Sequence, residues 1–169
     1  MENSKIYEKV KMALLALYRE DIYLLERDVN ERSLSHKLAE HMQKEFGNSW
    51  DVDCEYNRHV EEPKKLFYDG YGDIKCDVRD TDAKTVYPDI VVHKRGNDKH
   101  NLLVIEIKKT TSEIGDEKDE AKLAAFTGEQ YDYRVGLFLK FDVDNGCIED
   151  VQCFQEGELT GECDDLKEL

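Results

Sequence analysis

The sequence predicts an α/β domain in which helices flank a central mixed β-sheet. Three observations support this fold class: helical apolar periodicity over residues 4–46, a pair of β-branched apolar runs over 85–109, and a later helix followed by two apolar strands. A crossover helix between that pair and the later strands would make one of those strands parallel to a strand of the pair. We therefore expect one domain over 1–169, with its core at about 30–154.

Two helices are predicted before the first strand. The first spans residues 4–27 and is expected to break or bend near 21–23. The second begins after Asn30, a preferred N-cap residue, and ends at Gly47, a preferred residue type after a helix. Its apolar side carries one acid, Glu31, in the first turn. That carboxylate would interact either with the free amides of its own helix N-terminus or with a group in the core.

The first core strand is predicted at 50–58. Val52, Cys54 and Tyr56 alternate there with polar residues and should share one buried face. The charged segment 59–84 contains proline and glycine and is predicted to be an insertion, with a short strand near 73–78.

The elements after residue 109 are a helix, two strands and an acidic tail. The helix is predicted at 112–130, the strands are predicted at 133–142 and 148–154, and the tail from 155 is expected to fray. Asp119 and Lys122 flank the inward face of the helix. We expect them to form a solvated ion pair, and a supporting role beside a functional site is the alternative.

The apolar pair over 85–109 is predicted to be an antiparallel hairpin with its turn at 95–98. If the turn is symmetric, paired residue numbers sum to 195, so that Asp89 lies opposite Glu106. Glu106 and Lys108 share a face because strand side chains alternate. Two opposed carboxylates repel each other unless a cation lies between them, so this register predicts a divalent cation site.

These residues also carry a family resemblance. Pro88-Asp89 on one strand, followed by Glu106-Ile107-Lys108 on the next, resembles the signature of the PD-(D/E)XK nuclease superfamily. The resemblance extends over about residues 30–154, because the predicted element order is also that of the superfamily core. It implies the restriction-endonuclease-like fold and a metal-dependent phosphodiester hydrolase, an endo- or exonuclease that acts on nucleic acid.

The resemblance also implies roles for individual residues. Asp89, Glu106 and the backbone carbonyl of Ile107 would ligate Mg²⁺ or Mn²⁺. Lys108 would lie beside the attacking water, and Glu31 would complete the site. DNA is the first expectation for the substrate, whereas strandedness, sequence preference and oligomeric state are left open.

The charge balance favours rival interpretations. A net charge of −15 argues against indiscriminate nucleic-acid binding, since phosphate contacts rely on Lys and Arg. The basic hairpin tip, His93 to His100, would contact phosphate or form a plain solvated turn. One rival is an inactive nuclease-fold module that binds or regulates within a defence, phage or repair complex, with a protein partner or as a homodimer. Another is an acidic DNA mimic.

Cysteine usage and hydropathy predict a cytoplasmic location. The five cysteines show no metal-binding spacing, so we expect reduced thiols. No apolar run approaches the roughly 18 residues of a membrane span, and the first residues lack the apolar segment of a signal peptide. No membrane partner is expected.

Overall fold

The computed structural model describes residues 1–59, 62–68, 74–75, 83–161, 163 and 166. It is an α/β structure with helices on both faces of a six-stranded mixed sheet, as predicted. The helices are α1 (Asn3–Asp21), α2 (Tyr23–Glu26), α3 (Glu31–Phe46) and α4 (Glu117–Thr127). The strands are β1 (Asp51–Cys54), β2 (Arg58–His59), β3 (Glu62–Pro63), β4 (Lys65–Tyr68), β5 (Ile74–Lys75), β6 (Ala83–Thr85), β7 (Ile90–His93), β8 (Leu103–Lys109), β9 (Val135–Asp142), β10 (Cys147–Gln155) and β11 (Glu158–Thr160).

The large sheet has the strand order β1-β7-β8-β9-β10-β11. Neighbours are antiparallel except β8 and β9, which are parallel and are joined through α4. This confirms the predicted crossover. In the hairpin, Ile90 pairs with Ile105 and Val92 pairs with Leu103, so paired residue numbers sum to 195 and the predicted register is confirmed.

Two smaller sheets lie in the predicted insertion. β2 pairs with β3, and β4 lies between β5 and β6. Of the strand predicted near 73–78, Ile74 and Lys75 form β5, and the other residues lie outside the described part of the chain.

The alternation of side chains along the central strands divides the core between the two faces of the sheet. On one face, Ile105 and Ile107 of β8 pack with α1 and α3. On the other face, Val104 of β8 packs with Leu123 and Phe126 of α4. The side chain of any residue on β8 therefore points either toward α3 or toward α4, depending on its place in the alternation.

The second predicted helix is confirmed at both ends. The Asn30 side chain accepts a hydrogen bond from the Ser33 amide at 2.8 Å, and Gly47 follows the helix with a φ of 67°. The predicted break in the first helix is also present, because Ile22 separates α1 from α2.

The predicted face of Tyr56 is wrong. β1 ends at Cys54, and Glu55 then takes a left-handed φ of 50°. Val52 and Cys54 pack on the α3 side, whereas Tyr56 packs on the α4 side. One left-handed residue thus breaks the alternation that the sequence pattern assumed.

Two predictions for the C-terminal part are also wrong. Instead of fraying from residue 155, the chain forms β11, which pairs antiparallel with β10. This return brings Cys163 to Cys153, and the two form a disulfide with a Cα–Cα distance of 6.0 Å, so the expectation of reduced thiols is wrong for this pair. Cys54 and Cys147 are free thiols, as expected, and Cys76 lies outside the described residues. In the described ranges, no helix combines the length and apolarity of a membrane span.

Candidate active site

Strand β8 carries two charged side chains into the core beside α4. Glu106 and Lys108 are only 1% and 5% exposed. Side chains alternate between the two faces along β8, and Val104 packs against α4. Glu106 and Lys108, two and four residues later, therefore lie on the same α4 side of the sheet. Burying two charges on one strand is costly unless each of them has a partner, so this part of β8 is a candidate functional site.

Asp89 extends the hydrogen bonding between β7 and β8 with its side chain. The last backbone pair of the two strands is Ile90 with Ile105. Beyond this pair, the Ile107 amide donates a hydrogen bond to Asp89 Oδ2 at 2.7 Å. The strands part here, and Asp89 is held at the point of separation.

Glu31 caps the next free amide of the same strand. The Lys109 amide donates to Glu31 Oε1 at 3.1 Å. The Lys109 side chain reaches back, and its Nζ donates to Asp28 Oδ1 at 2.6 Å and to the Val29 carbonyl at 2.7 Å. These bonds hold the segment before α3 against β8. The Glu31 carboxylate therefore has a partner outside its own helix, on β8.

The pKa values of the two central carboxyls are raised. Burial raises the pKa of Asp89 to about 6, although the hydrogen bond from Ile107 and the charge of Lys122 oppose the rise. Burial also raises the pKa of Glu106 well above its usual range, and the Asp89 carboxylate adds to this effect. The charges of Asp119 and Glu31 likewise raise the pKa of Asp89, so several carboxylates crowd a site that a cation would stabilise.

The two oxygens of Glu106 have different surroundings. Oε2 accepts a hydrogen bond from Lys122 Nζ at 2.7 Å. Oε1 is buried and has no hydrogen-bond partner among the described residues. An unsatisfied buried oxygen is costly in a folded protein, and a carboxylate oxygen in this condition is available as a metal ligand.

Helix α4 supplies the partners of the two buried charges on β8. Lys108 Nζ donates to Asp119 Oδ2 at 2.8 Å, and Lys122 Nζ lies 2.7 Å from Asp119 Oδ1. Asp119 is 9% exposed, so the expectation of a solvated ion pair is wrong. The alternative, a supporting role beside the site, agrees with this geometry. The sequence signal was the spacing of Asp119 and Lys122 beside the apolar residues Leu123 and Phe126.

The acidic side chains form a pair rather than a full set of ligands. Across the described ranges, no three His, Cys, Asp or Glu side chains converge as a metal-binding group. A cation between Asp89 and Glu106 would take its other ligands from backbone oxygens, water and a bound phosphate, as Mg²⁺ commonly does. The roles of Glu31 and of the Ile107 carbonyl as ligands stay predictions.

A small cavity connects Asp89 with the surface beside α3. Its volume is about 190 Å³, and Arg32, His36 and Glu55 are among its lining residues. Arg32 Nε lies 2.9 Å from Glu55 Oε1, and both side chains are exposed. A ligand that approaches Asp89 through this cavity would therefore pass an arginine and a histidine.

Arg95, Lys99 and His100 at the hairpin tip are exposed, as a solvated turn requires, whereas His93 is not. His93 is buried, and its Nε2 lies 3.0 Å from Asp53 Oδ2. Arg95 Nε donates to the same oxygen at 2.8 Å. Asp53 thus pairs with two basic groups of the hairpin, for which phosphate contact was one of the two alternatives.

The arrangement has the chemistry of a cation site with an ammonium group on the same strand face. Asp89 and Glu106 supply negative charge, Lys108 supplies positive charge, and α4 fixes both residues of β8. No protein-family model, no curated protein and no solved structure matches this chain.

Proposed function

We propose that this chain is a metal-dependent nuclease of the PD-(D/E)XK type, with a restriction-endonuclease-like fold and DNA as its first candidate substrate. One observation carries the proposal: the half-buried Asp89 and the buried Glu106 lie at the point where β7 and β8 part, and Lys108 lies on the same strand face as Glu106. The mixed sheet with its parallel β8–β9 pair supports the fold assignment.

The residues at this point fit a divalent cation. Asp89 and Glu106 supply hard oxygen ligands, and the buried Oε1 of Glu106 lacks another partner among the described residues. Mg²⁺ or Mn²⁺ bound there would polarise a phosphodiester oxygen and lower the pKa of a water molecule. Glu31, held against β8 through the Lys109 amide, would bind from the α3 side.

Lys108 acts on the reacting groups in this proposal. Its ammonium has three donors, and Asp119 Oδ2 accepts from it at 2.8 Å. Another donor of the same ammonium would orient the attacking water or hydrogen-bond to a phosphoryl oxygen, whose negative charge grows during the reaction. Asp119 fixes the direction of the side chain and is therefore a positioning residue.

One observation favours the second candidate, an inactive nuclease-fold module. Glu106 and Lys108 are already paired with Lys122 and Asp119, so the charges of the site are largely balanced inside the protein. The net charge of −15 also disfavours a bare nucleic-acid surface. A module of this kind would bind its partner and cleave nothing.

A cleavage panel decides between the two candidates. The full chain is incubated with single- and double-stranded DNA and RNA, with Mg²⁺ or Mn²⁺ and with chelator. We expect metal-dependent cleavage by the wild type and none by Glu106→Gln, whose side-chain oxygen still accepts a hydrogen bond. The matched control is Lys118→Ala, an exposed lysine of α4, which should cleave like the wild type.

Two results would contradict the nuclease proposal. One is the absence of cleavage by folded wild type with either metal on every substrate. The other is equal cleavage by the wild type and Glu106→Gln, which would place the activity elsewhere or in a contaminant. The first result, combined with retained nucleic-acid binding, would favour the inactive module.

A further inference from the structure

Lys122 lies where a cation would be expected beside Glu106. Its Nζ is 2.7 Å from Glu106 Oε2 and 2.7 Å from Asp119 Oδ1, so one ammonium bridges two carboxylates. The Lys122 side chain is 19% exposed, whereas the Glu106 side chain is 2% exposed. The lysine therefore enters from α4 and covers a carboxylate that is almost fully withdrawn from water.

The bridge belongs to a chain of alternating charges. It runs from Glu106 through Lys122 and Asp119 to Lys108, and every link is 2.7–2.8 Å long. Asp89 adds a third negative charge beside two positive ones. When all three carboxylates are ionised they exceed the two ammonium groups by one, and the site then attracts a further cation, although the lysines weaken this attraction.

The bridge leaves one side of Glu106 free. Lys122 occupies Oε2, and the buried Oε1 has no hydrogen-bond partner among the described residues. Removal of Lys122 would leave Glu106 near Asp89 and Asp119 without the ammonium that now contacts it. Buried carboxylates in that position are strongly destabilising unless a cation replaces the lost charge.

We propose that Lys122 is an internal counter-ion of the site: it stabilises Glu106 in the metal-free protein and lowers the affinity of the Asp89–Glu106 pair for a divalent cation. This inference rests on the proposed function. A bound metal would lie a few ångströms from the ammonium, and the repulsion between them weakens binding. The metal would then bind most tightly when a phosphate oxygen supplies further negative charge.

The test is a titration of the full-length chain with Mn²⁺, followed through the electron paramagnetic resonance signal of free Mn²⁺. We expect Lys122→Met to bind Mn²⁺ on the order of tenfold more tightly than the wild type. Lys122→Arg keeps the positive charge and should remain near the wild type. Lys118→Met, which removes an exposed charge from the same helix, should have no effect.

A second variant and a second measurement keep the test decisive. Lys122→Gln retains a polar group, and it replaces Lys122→Met if the latter does not fold. The melting temperature without metal should fall in both variants, and Mn²⁺ should raise it more than in the wild type. A merely structural lysine would lower the melting temperature without increasing the affinity for Mn²⁺.

The outcomes separate the two proposals. Asp89→Asn should abolish Mn²⁺ binding in both the wild type and Lys122→Met. Mn²⁺ binding that depends on Asp89 but is unchanged or weaker in Lys122→Met overturns the role of Lys122 alone. Binding that does not depend on Asp89, or no binding by any variant, overturns the proposed metal site and the inference with it.

Discussion

Asp89 Oδ2 accepts a hydrogen bond from the Ile107 amide at 2.7 Å and so continues the β7–β8 ladder by one step with a side chain. The carboxylate satisfies an amide that the parting strands would otherwise leave unpaired. Burial raises the pKa values of both Asp89 and Glu106, and the charge of Asp89 raises the pKa of Glu106 further. The structural role and the proposed catalytic role of Asp89 can be separated by Asp89→Asn.

Asp89→Asn should change how stability depends on pH. The pKa of Asp89 is raised from 3.8 to about 6 in the folded chain, so the folded state binds this proton more tightly than the unfolded state. The wild type therefore loses stability as pH rises from about 4 to about 6 and keeps the loss above that range. A rise of about two pKa units corresponds to about 3 kcal/mol.

Urea unfolding of the wild type and Asp89→Asn across this pH range measures the effect. The asparagine oxygen still accepts from the Ile107 amide and carries no charge. We expect the free energy of unfolding of the variant to rise relative to the wild type by up to about 3 kcal/mol toward pH 7. Parallel curves for the two proteins would contradict the raised pKa.

Asp119→Asn should destabilise the chain severely. It replaces the carboxylate between Lys108 and Lys122 and leaves the buried Lys108 ammonium without its negative partner. Breaking a buried ion pair in this way costs about 3–5 kcal/mol. Chemical unfolding measures the loss, and Glu117→Gln on the exposed side of α4 should stay within about 0.5 kcal/mol of the wild type.

Lys108→Ala should abolish cleavage in a chain that still folds. Asp119 keeps Lys122 as a partner when Lys108 is removed, so no buried carboxylate is left wholly uncompensated. Circular dichroism checks the fold, and the cleavage panel checks turnover, with Lys118→Ala as control. Unchanged turnover in Lys108→Ala would remove Lys108 from the proposed mechanism.

Arg32→Ala should weaken nucleic-acid binding and make it less sensitive to salt. Arg32 is exposed at the cavity that reaches Asp89. If it contacts one phosphate, its loss reduces the slope of log affinity against log salt by about one. Fluorescence anisotropy at several salt concentrations measures the slope, and Arg19→Ala, an exposed arginine on α1, serves as control. Equal slopes in both variants would exclude a phosphate contact by Arg32.

Reduction of the Cys153–Cys163 disulfide should lower stability. The bond closes a short loop with a sequence separation of 10, for which chain entropy predicts about 2–3 kcal/mol. Dithiothreitol should therefore lower the melting temperature of the wild type. Cys163→Ser should melt at the lower temperature with or without reductant, and a wild type insensitive to reductant would contradict the prediction.

The sequence correctly predicted the ends of α3 and the register of the hairpin. The Asn30 cap and Gly47 define α3, and the turn at 95–98 sets the hairpin register, because each depends on a few neighbouring residues. The register, in turn, placed Asp89 next to the last β7–β8 pair, and the alternation of strand side chains placed Glu106 on the same face as Lys108.

Long-range contacts were not available from the sequence pattern. Helix α4 connects the parallel strands β8 and β9, and the path of this connection determines which turn of α4 packs on β8. The burial of Asp119 and the pairing of Lys122 therefore depend on packing between distant segments. The disulfide depends on the return of β11 beside β10, which the acidic tail did not suggest. The left-handed Glu55 moved Tyr56 to the other face, since the pattern assumed an unbroken strand.

Two backbone amides of β8 donate to carboxylates at the candidate site and can report on it spectroscopically. The Ile107 and Lys109 amides donate to Asp89 and Glu31, at 2.7 and 3.1 Å. In a ¹H–¹⁵N correlation spectrum, each amide resonance will depend on the charge of the carboxylate that it contacts. Titration with Mg²⁺ should therefore shift these two peaks before the rest of the sheet, and acid should shift the Ile107 peak as Asp89 takes up its proton near pH 6. Binding at the site can be followed residue by residue, without a substrate and without turnover.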